Sequence, residues 1–116
     1  MAQELTKDQL WELMRSGKDF KLVDALSADH YERVHIKGAI SLPSSQVTGQ
    51  AESKLSKDDM IVVYCANPEC DAGAVAARKL ESLGYTNVNH YAGGIEEWPA
   101  AGLPMEGSGA ERIQAG

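Results

Sequence analysis

The segment Met60–Cys65, with the sequence Met-Ile-Val-Val-Tyr-Cys, is an unbroken apolar run that follows the polar stretch 56–59. A strand with one face in water alternates apolar and polar residues, whereas a strand covered on both faces has no such alternation. The run therefore predicts a central strand of a parallel sheet. Parallel neighbours are joined by crossover connections, usually helices, so this one strand implies a chain that alternates strands with helices.

The remainder of the chain has that alternation. Thr6 and Gln9 have the spacing of a capping box at the start of a first helix, which Gly17 ends. The other predicted elements are helices at 28–34, 44–55, 72–83 and 95–101 and strands at 21–26, 38–43 and 88–91. They predict an α/β fold, with a parallel sheet flanked by helices on both faces, in one domain over residues 1–104. Residues 105–116 are small and polar and are expected to form a flexible tail.

Length, charge and composition exclude several classes of function. A length of 116 residues is room for one compact domain. The net charge of −6 comes without clustered Lys and Arg, and no apolar run approaches ~20 residues, so neither nucleic acid nor a membrane is an expected partner. The amino terminus lacks the basic and apolar regions of a signal peptide, so a cytoplasmic location is expected. The histidines and cysteines have no spacing typical of a metal site, and neither a metal nor another cofactor is expected.

Cys65 stands where chemistry is expected in such a sheet. Ligands of an open parallel sheet bind outside the carboxyl ends of its strands, and Cys65 is the last residue of the most apolar one. The loop 66–71 leads into the predicted helix that starts at Ala72. Loop amides and the positive end of that helix would both favour a thiolate, which is the nucleophilic form of cysteine. The alternative is that Cys65 is a small apolar residue packed in a buried strand.

Several motifs, in this order along the chain, resemble those of a rhodanese (sulfurtransferase) domain. They are Leu22-Val23-Asp24, His35-Ile36-Lys37-Gly38-Ala39-Ile40-Ser41-Leu42-Pro43, Tyr64-Cys65, Leu83-Gly84-Tyr85, Gly93-Gly94-Ile95 and Trp98. The resemblance runs from about Thr6 to Pro104. It implies a five-stranded parallel sheet. It also implies that Cys65 takes sulfane sulfur from a small donor or a persulfidated protein and passes it to a thiol or cyanide.

The loop after Cys65 departs from that family. It is expected to cradle the transferred sulfur with its backbone, and its residues are Ala66, Asn67, Pro68, Glu69, Cys70, Asp71 and Ala72. No Lys or Arg occurs from Cys65 to Ala77, whereas rhodanese loops commonly carry an arginine. A carboxylate at roughly 7 Å and an effective dielectric of ~40 costs a thiolate about 1 kcal/mol, which matches a helix-dipole benefit of ~0.3–1 kcal/mol.

The direction of the loop carboxylates therefore decides how strongly Cys65 is activated. Carboxylates that face the pocket would repel a dianion such as thiosulfate, whereas carboxylates in solvent would be screened. Asp71 is expected to cap the helix that begins at Ala72. A persulfide is the expected donor. Related phosphatases have an arginine at the place of Asp71, so phosphatase activity is not expected.

Cys70 has three interpretations: a resolving thiol that attacks a Cys65 persulfide, a relay for sulfur, or an exposed bystander. Asp24 and His35 are expected to support the structure rather than to take part in the reaction. Because a fold does not fix function, two alternatives to a sulfurtransferase remain at this point. One is a binding or regulatory module without catalysis, and the other is a redox sensor that uses a Cys65–Cys70 disulfide.

Overall fold

A computed structural model describes residues 3–66 and 70–108 of the chain. The strands are β1 (Gln3–Leu5), β2 (Lys21–Asp24), β3 (His35–Ile36), β4 (Ile40–Ser41), β5 (Ile61–Tyr64), β6 (Val88–Tyr91) and β7 (Met105–Glu106). The helices are α1 (Lys7–Arg15), α2 (Ala28–Arg33), α3 (Val47–Lys54), α4 (Ala72–Ser82) and α5 (Gly94–Ala100), and a 3₁₀ turn (Ser44–Gln46) precedes α3.

Five strands form one parallel sheet in the order β1-β6-β5-β2-β4. Strand β5 lies in the middle, paired with β6 on one side and β2 on the other, and all four of its residues are buried. The predicted α/β fold with a five-stranded parallel sheet and a central strand at this position is confirmed. The crossover helices follow from parallel pairing, because each connection must return the chain to the same edge of the sheet.

Alternate residues of β5 enter two separate apolar cores. Ile61 and Val63 pack on the face covered by α3 and α4, whereas Val62 and Tyr64 pack on the face covered by α1 and α5. Trp98 of α5 is fully buried in the second core. Because each fully buried Val, Leu or Ile contributes ~1.5–3 kcal/mol, the two cores hold the sheet and fix where β5 ends.

Three strands were not predicted. Residues Gln3–Leu5 form the edge strand β1, which pairs with β6, and β3 pairs with β7 in a small antiparallel sheet. The predicted strand at 38–43 is only the two residues of β4. Strand β7 lies inside the segment 105–116 that was expected to be a flexible tail. Met105 is buried and Glu106 pairs with His35, so these two residues belong to the folded domain. The end of that predicted tail, 109–116, lies outside the described residues.

In the described parts of the chain, no helix has both the length and the apolar character that crossing a bilayer requires.

Candidate active site

Cys65 follows β5 directly and lies at the carboxyl edge of the sheet. Its carbonyl accepts a hydrogen bond from the Ile95 N–H (2.9 Å), and the Ala66 carbonyl accepts one from the Glu96 N–H (3.0 Å). The first turn of α5 therefore holds the backbone on both sides of the Cys65–Ala66 peptide bond. Cys65 itself is only 2% exposed.

Cys65 is joined to Cys70 by a disulfide bond. The two Cα atoms are 6.3 Å apart, within the ~4.4–6.8 Å that disulfides usually span. Cys70 is partly exposed, whereas Cys65 is buried. The two sulfur atoms thus meet, which sequence spacing alone left open.

The loop that is expected to cradle a transferred sulfur is described only in part. Ala66, Cys70, Asp71 and Ala72 are placed, whereas Asn67, Pro68 and Glu69 lie outside the described residues. The backbone cradle therefore stays a prediction. What the structure does place is the start of α4, which follows Cys70 after one residue and brings the positive end of a helix of 11 residues to this edge of the sheet.

Asp71 occupies the N-cap position of α4, as predicted, but not with the predicted contact. Its carbonyl accepts a hydrogen bond from the Val75 N–H (2.9 Å), which begins the helix. Within the described residues its carboxylate makes no capping hydrogen bond, because the backbone of Asp71 is already helical. The Asp71 side chain is exposed. Solvent and salt therefore screen its charge, and it opposes a Cys65 thiolate only weakly.

His90 lies beside Cys65, although no sequence pattern singled it out. Gly73, in the first turn of α4, packs between them: an added Cβ there would lie 2.7 Å from His90 Nε2 and 3.2 Å from Cys65 Cβ. These two atoms are therefore separated by no more than the sum of the two distances. Burial lowers the pKa of His90, and the nearby Glu4 carboxylate partly opposes that effect.

The register of the sheet explains how His90 comes to this place. His90 of β6 pairs with Val63 of β5, and Cys65 follows Val63 by two residues. Side chains two residues apart on a strand lie on the same face, so His90 and Cys65 both point toward α4. Only the register between β5 and β6 shows that His90 lies beside Cys65, and the sequence of either strand by itself does not reveal that register.

Asp24 is fully buried on the opposite face of the sheet, level with Tyr64 in the pairing of β2 and β5. Its carboxylate accepts hydrogen bonds from the Tyr64 hydroxyl (2.9 Å) and from the Leu26 N–H (2.8 Å). The Tyr64 oxygen in turn accepts the Ile36 N–H (3.0 Å). Burial raises the pKa of Asp24, and both hydrogen bonds act against that rise. The network fixes the residue immediately before Cys65.

His35 lies in the corner formed by α2, β3 and β7. Its ring stacks on Tyr31 with 3.8 Å between centroids, and its Nδ1–H donates to the Tyr31 carbonyl (2.7 Å). Its Nε2 is 3.6 Å from a carboxylate oxygen of Glu106. These contacts join β3 to α2 and to the end of the described chain.

A cleft of about 300 Å³ opens at the same edge of the sheet as Cys65. It lies between the segment after β2, the segment after β4 and Ala72 at the start of α4; the polar residues that line it are Ser27, Ser44, Ser45 and Gln46. Among the described residues that line it, none is charged. No three His, Cys, Asp or Glu side chains in the described segments come together in a group that could hold a metal ion.

The fold is of the α/β class, with a parallel sheet flanked by helices. A cysteine follows the central strand at its carboxyl end. Residues 6–101 match the model of the rhodanese-like domain family. The chain therefore belongs to the rhodanese-like family, as its motifs suggest.

Solved structures agree with that assignment. A protein from Bacillus halodurans superposes with a TM-score of 0.88 at 30% identity, covering 96% of this chain and 81% of that one. A rhodanese-like domain from Anabaena superposes with a TM-score of 0.86 at 31% identity, covering 100% of this chain and 87% of that one.

Curated relatives carry sulfurtransferase names. The thiosulfate sulfurtransferase GlpE of Haemophilus influenzae is 33% identical over 104 residues, which cover 90% of this chain and 94% of that protein. The probable adenylyltransferase/sulfurtransferase MoeZ of Mycobacterium tuberculosis is 33% identical over 95 residues. The match to MoeZ covers 81% of this chain but only 24% of that longer protein.

Proposed function

We propose that this protein is a sulfurtransferase in which Cys65 carries sulfane sulfur as a persulfide. The observation that carries this proposal is the place of Cys65, at the end of the central strand and close to the start of α4. In the first half-reaction the Cys65 thiolate attacks the outer sulfur of a donor R–S–SH and expels RS⁻. In the second, a thiolate or cyanide attacks the outer sulfur of the Cys65 persulfide and restores the thiolate.

The disulfide and the charges around Cys65 define what the reaction requires. The Cys65–Cys70 bond must first be reduced, because a sulfur already in a disulfide has no thiolate to offer. The start of α4 then favours the thiolate by ~0.3–1 kcal/mol. No general base of high strength is needed once the thiol is ionised.

We infer that the donor is a persulfide rather than thiosulfate. No Lys or Arg lies between Cys65 and Ala77, and the cleft beside Ala72 has no charged lining among the described residues. Thiosulfate is a dianion and would have to give up hydration without a cation to replace it. The GlpE relatives are named for thiosulfate, so thiosulfate is the matched comparison donor.

Intact-protein mass spectrometry tests the proposal. The reduced Cys70→Ser variant, which keeps Cys65 but cannot form the Cys65–Cys70 disulfide, is incubated with glutathione persulfide or with thiosulfate, desalted, and weighed before and after treatment with cyanide. The expected result is a gain of one sulfur atom from the persulfide, less gain from thiosulfate, and loss of that sulfur to cyanide. Cys65→Ser should gain nothing while its circular dichroism is unchanged. An unchanged gain in Cys65→Ser would refute the role of Cys65.

A redox sensor is the second candidate, and the Cys65–Cys70 disulfide is the observation that favours it. In this function an oxidant closes the bond and a thiol opens it, without any sulfur being transferred. The same experiment separates the two: in a sensor, the Cys70→Ser variant gains no sulfur from either donor, whereas the wild-type chain loses two hydrogen atoms on mild oxidation. A binding module without catalysis would gain no sulfur either, and its function would not change in Cys65→Ser.

A further inference from the structure

We propose that Cys70 resolves the Cys65 persulfide: its thiolate attacks the Cys65 sulfur, expels the outer sulfur as sulfide and leaves the Cys65–Cys70 disulfide. This inference rests on the proposed function and extends it. The protein would then not only pass sulfane sulfur to outside acceptors but also reduce it to sulfide. The acceptor in that second reaction is a thiol of the chain itself.

The geometry supports attack on the inner sulfur of the persulfide. The disulfide joins Cys70 Sγ to Cys65 Sγ itself, the sulfur to which the outer sulfur would be attached. A relay, by contrast, needs Cys70 to reach the outer sulfur, one bond further from the Cys65 Cβ. With Cα atoms 6.3 Å apart, the direct bond fits between the two residues without a third sulfur atom.

Atoms and electrons balance without an outside oxidant. The bond between Cys65 Sγ and the outer sulfur breaks, and its electron pair leaves with the outer sulfur as HS⁻. The bond between the two Sγ atoms forms, and the proton of the Cys70 thiol has gone to solvent. The sulfane sulfur is reduced by two electrons, which the two cysteines supply as they become a disulfide.

The reaction is intramolecular, which gives Cys70 an advantage over thiols in solution. Groups on one short segment of chain meet at an effective concentration on the order of millimolar or above. An external thiol at a concentration below this effective concentration would therefore accept only the smaller part of the persulfide sulfur. The larger part would be released as sulfide by the attack of Cys70. Cyanide and thiols would compete with Cys70 for the same persulfide.

The exposure of the two cysteines indicates how the cycle is completed. Cys70 is partly exposed, whereas Cys65 is only 2% exposed, so an external thiolate reaches the Cys70 sulfur first. Attack at that sulfur releases Cys65 as a thiolate, which is the form that accepts the next sulfur. A second external thiol then frees Cys70. The whole cycle converts one persulfide and two thiols into one thiol, one sulfide and one external disulfide.

A single-turnover experiment tests the inference. The reduced wild-type chain is charged with glutathione persulfide, desalted quickly without oxygen, and left with no thiol present. Free sulfide is measured over time by a colorimetric assay, and the protein mass is measured in parallel. We expect close to one sulfide for each charged chain. The mass should fall from the persulfide form to a form that lacks two hydrogen atoms relative to the reduced protein.

Cys70→Ser is the matched control, since serine keeps the size of the side chain but cannot form a disulfide. This variant should keep its added sulfur and release no sulfide until a thiol is supplied. The inference is wrong if wild type holds its persulfide as long as Cys70→Ser does. It is also wrong if peptide mapping finds the sulfur on Cys70, which would indicate a relay.

The outcomes also separate this inference from the function on which it rests. A wild-type chain that gains sulfur and passes it to cyanide, but releases no sulfide alone, keeps the proposed function and refutes the role of Cys70. A Cys70→Ser chain that gains no sulfur from either donor refutes both, because it has no second cysteine that could remove the sulfur again.

Discussion

Gly73 and Gly49 both lie in helices, but a methyl group added at each would meet different surroundings. At Gly73 it would lie 2.7 Å from His90 Nε2 and 3.2 Å from Cys65 Cβ, closer than the ~3.5–4.0 Å of an unstrained contact. At Gly49 it would meet nothing within 4 Å among the described residues. Replacing each glycine with alanine therefore measures how tightly α4 packs on the site.

The two substitutions should change stability in opposite directions. Alanine is better than glycine within a helix by ~0.5–1 kcal/mol, and Gly49→Ala should gain that amount. Gly73→Ala should lose ~1–3 kcal/mol to overpacking, which leaves a net destabilisation of about 1 kcal/mol. In thermal unfolding followed by circular dichroism, the melting temperature of reduced protein should fall by about 4 °C for Gly73→Ala and rise for Gly49→Ala.

His90→Ala provides the control for the cause. It removes the nearer of the two contacts, so Gly73→Ala should cost less in the His90→Ala background than in wild type, with a coupling of ~0.5–3 kcal/mol. A Gly73→Ala protein as stable as Gly49→Ala would refute the close packing of His90 and Cys65 around Gly73. Equal costs in both backgrounds would show that the strain does not come from His90.

Two further predictions concern the groups around the site. Tyr64→Phe leaves the Ile36 N–H buried without its acceptor and removes one of the two hydrogen bonds to the buried Asp24 carboxylate, so it should cost ~2–4 kcal/mol in urea unfolding. Tyr85→Phe, which removes one hydrogen bond to a carbonyl, should cost only ~1 kcal/mol; equal costs would contradict the network. Burial lowers the pKa of His90 from 6.5, so the imidazole binds a proton more readily in the unfolded chain than in the folded one. The free energy of unfolding should therefore fall as the pH drops from 6.5 through the pKa of the folded state. His90→Gln should make the urea midpoint less dependent on pH across that range, and an unchanged slope would refute this origin.

The elements that the sequence predicts well are those with enough residues to carry a pattern. The apolar run at β5 and the helical spacing of α4 each contain their own periodicity, so their type and place agree with the structure. Strands β1, β3 and β7 have only two or three residues each. They exist because distant segments pair with them, and such pairing leaves no local signal.

The residues of the candidate site likewise differ in whether the sequence gives a local signal for them. Cys65 could be found because the end of an apolar strand is a local feature and the surrounding motifs resemble a family. His90 could not, because its place beside Cys65 depends on the register of β5 and β6. The predicted side-chain cap of Asp71 failed for a related reason: an N-cap side chain needs an extended backbone, and the backbone of Asp71 is already helical.

The backbone around Cys65 is held from two directions, by α5 through the Cys65 carbonyl and by Asp24 through the Tyr64 hydroxyl. A thiolate, a persulfide and a disulfide differ in volume by about one sulfur atom, yet the strand beneath them has little freedom to adjust. The change in shape must then be taken up on the side of Cys70 and the first turn of α4. Each chemical state of the Cys65 sulfur would thus give this end of the domain a different surface shape. A partner protein that binds this surface could then distinguish the persulfide form from the thiolate form by shape complementarity.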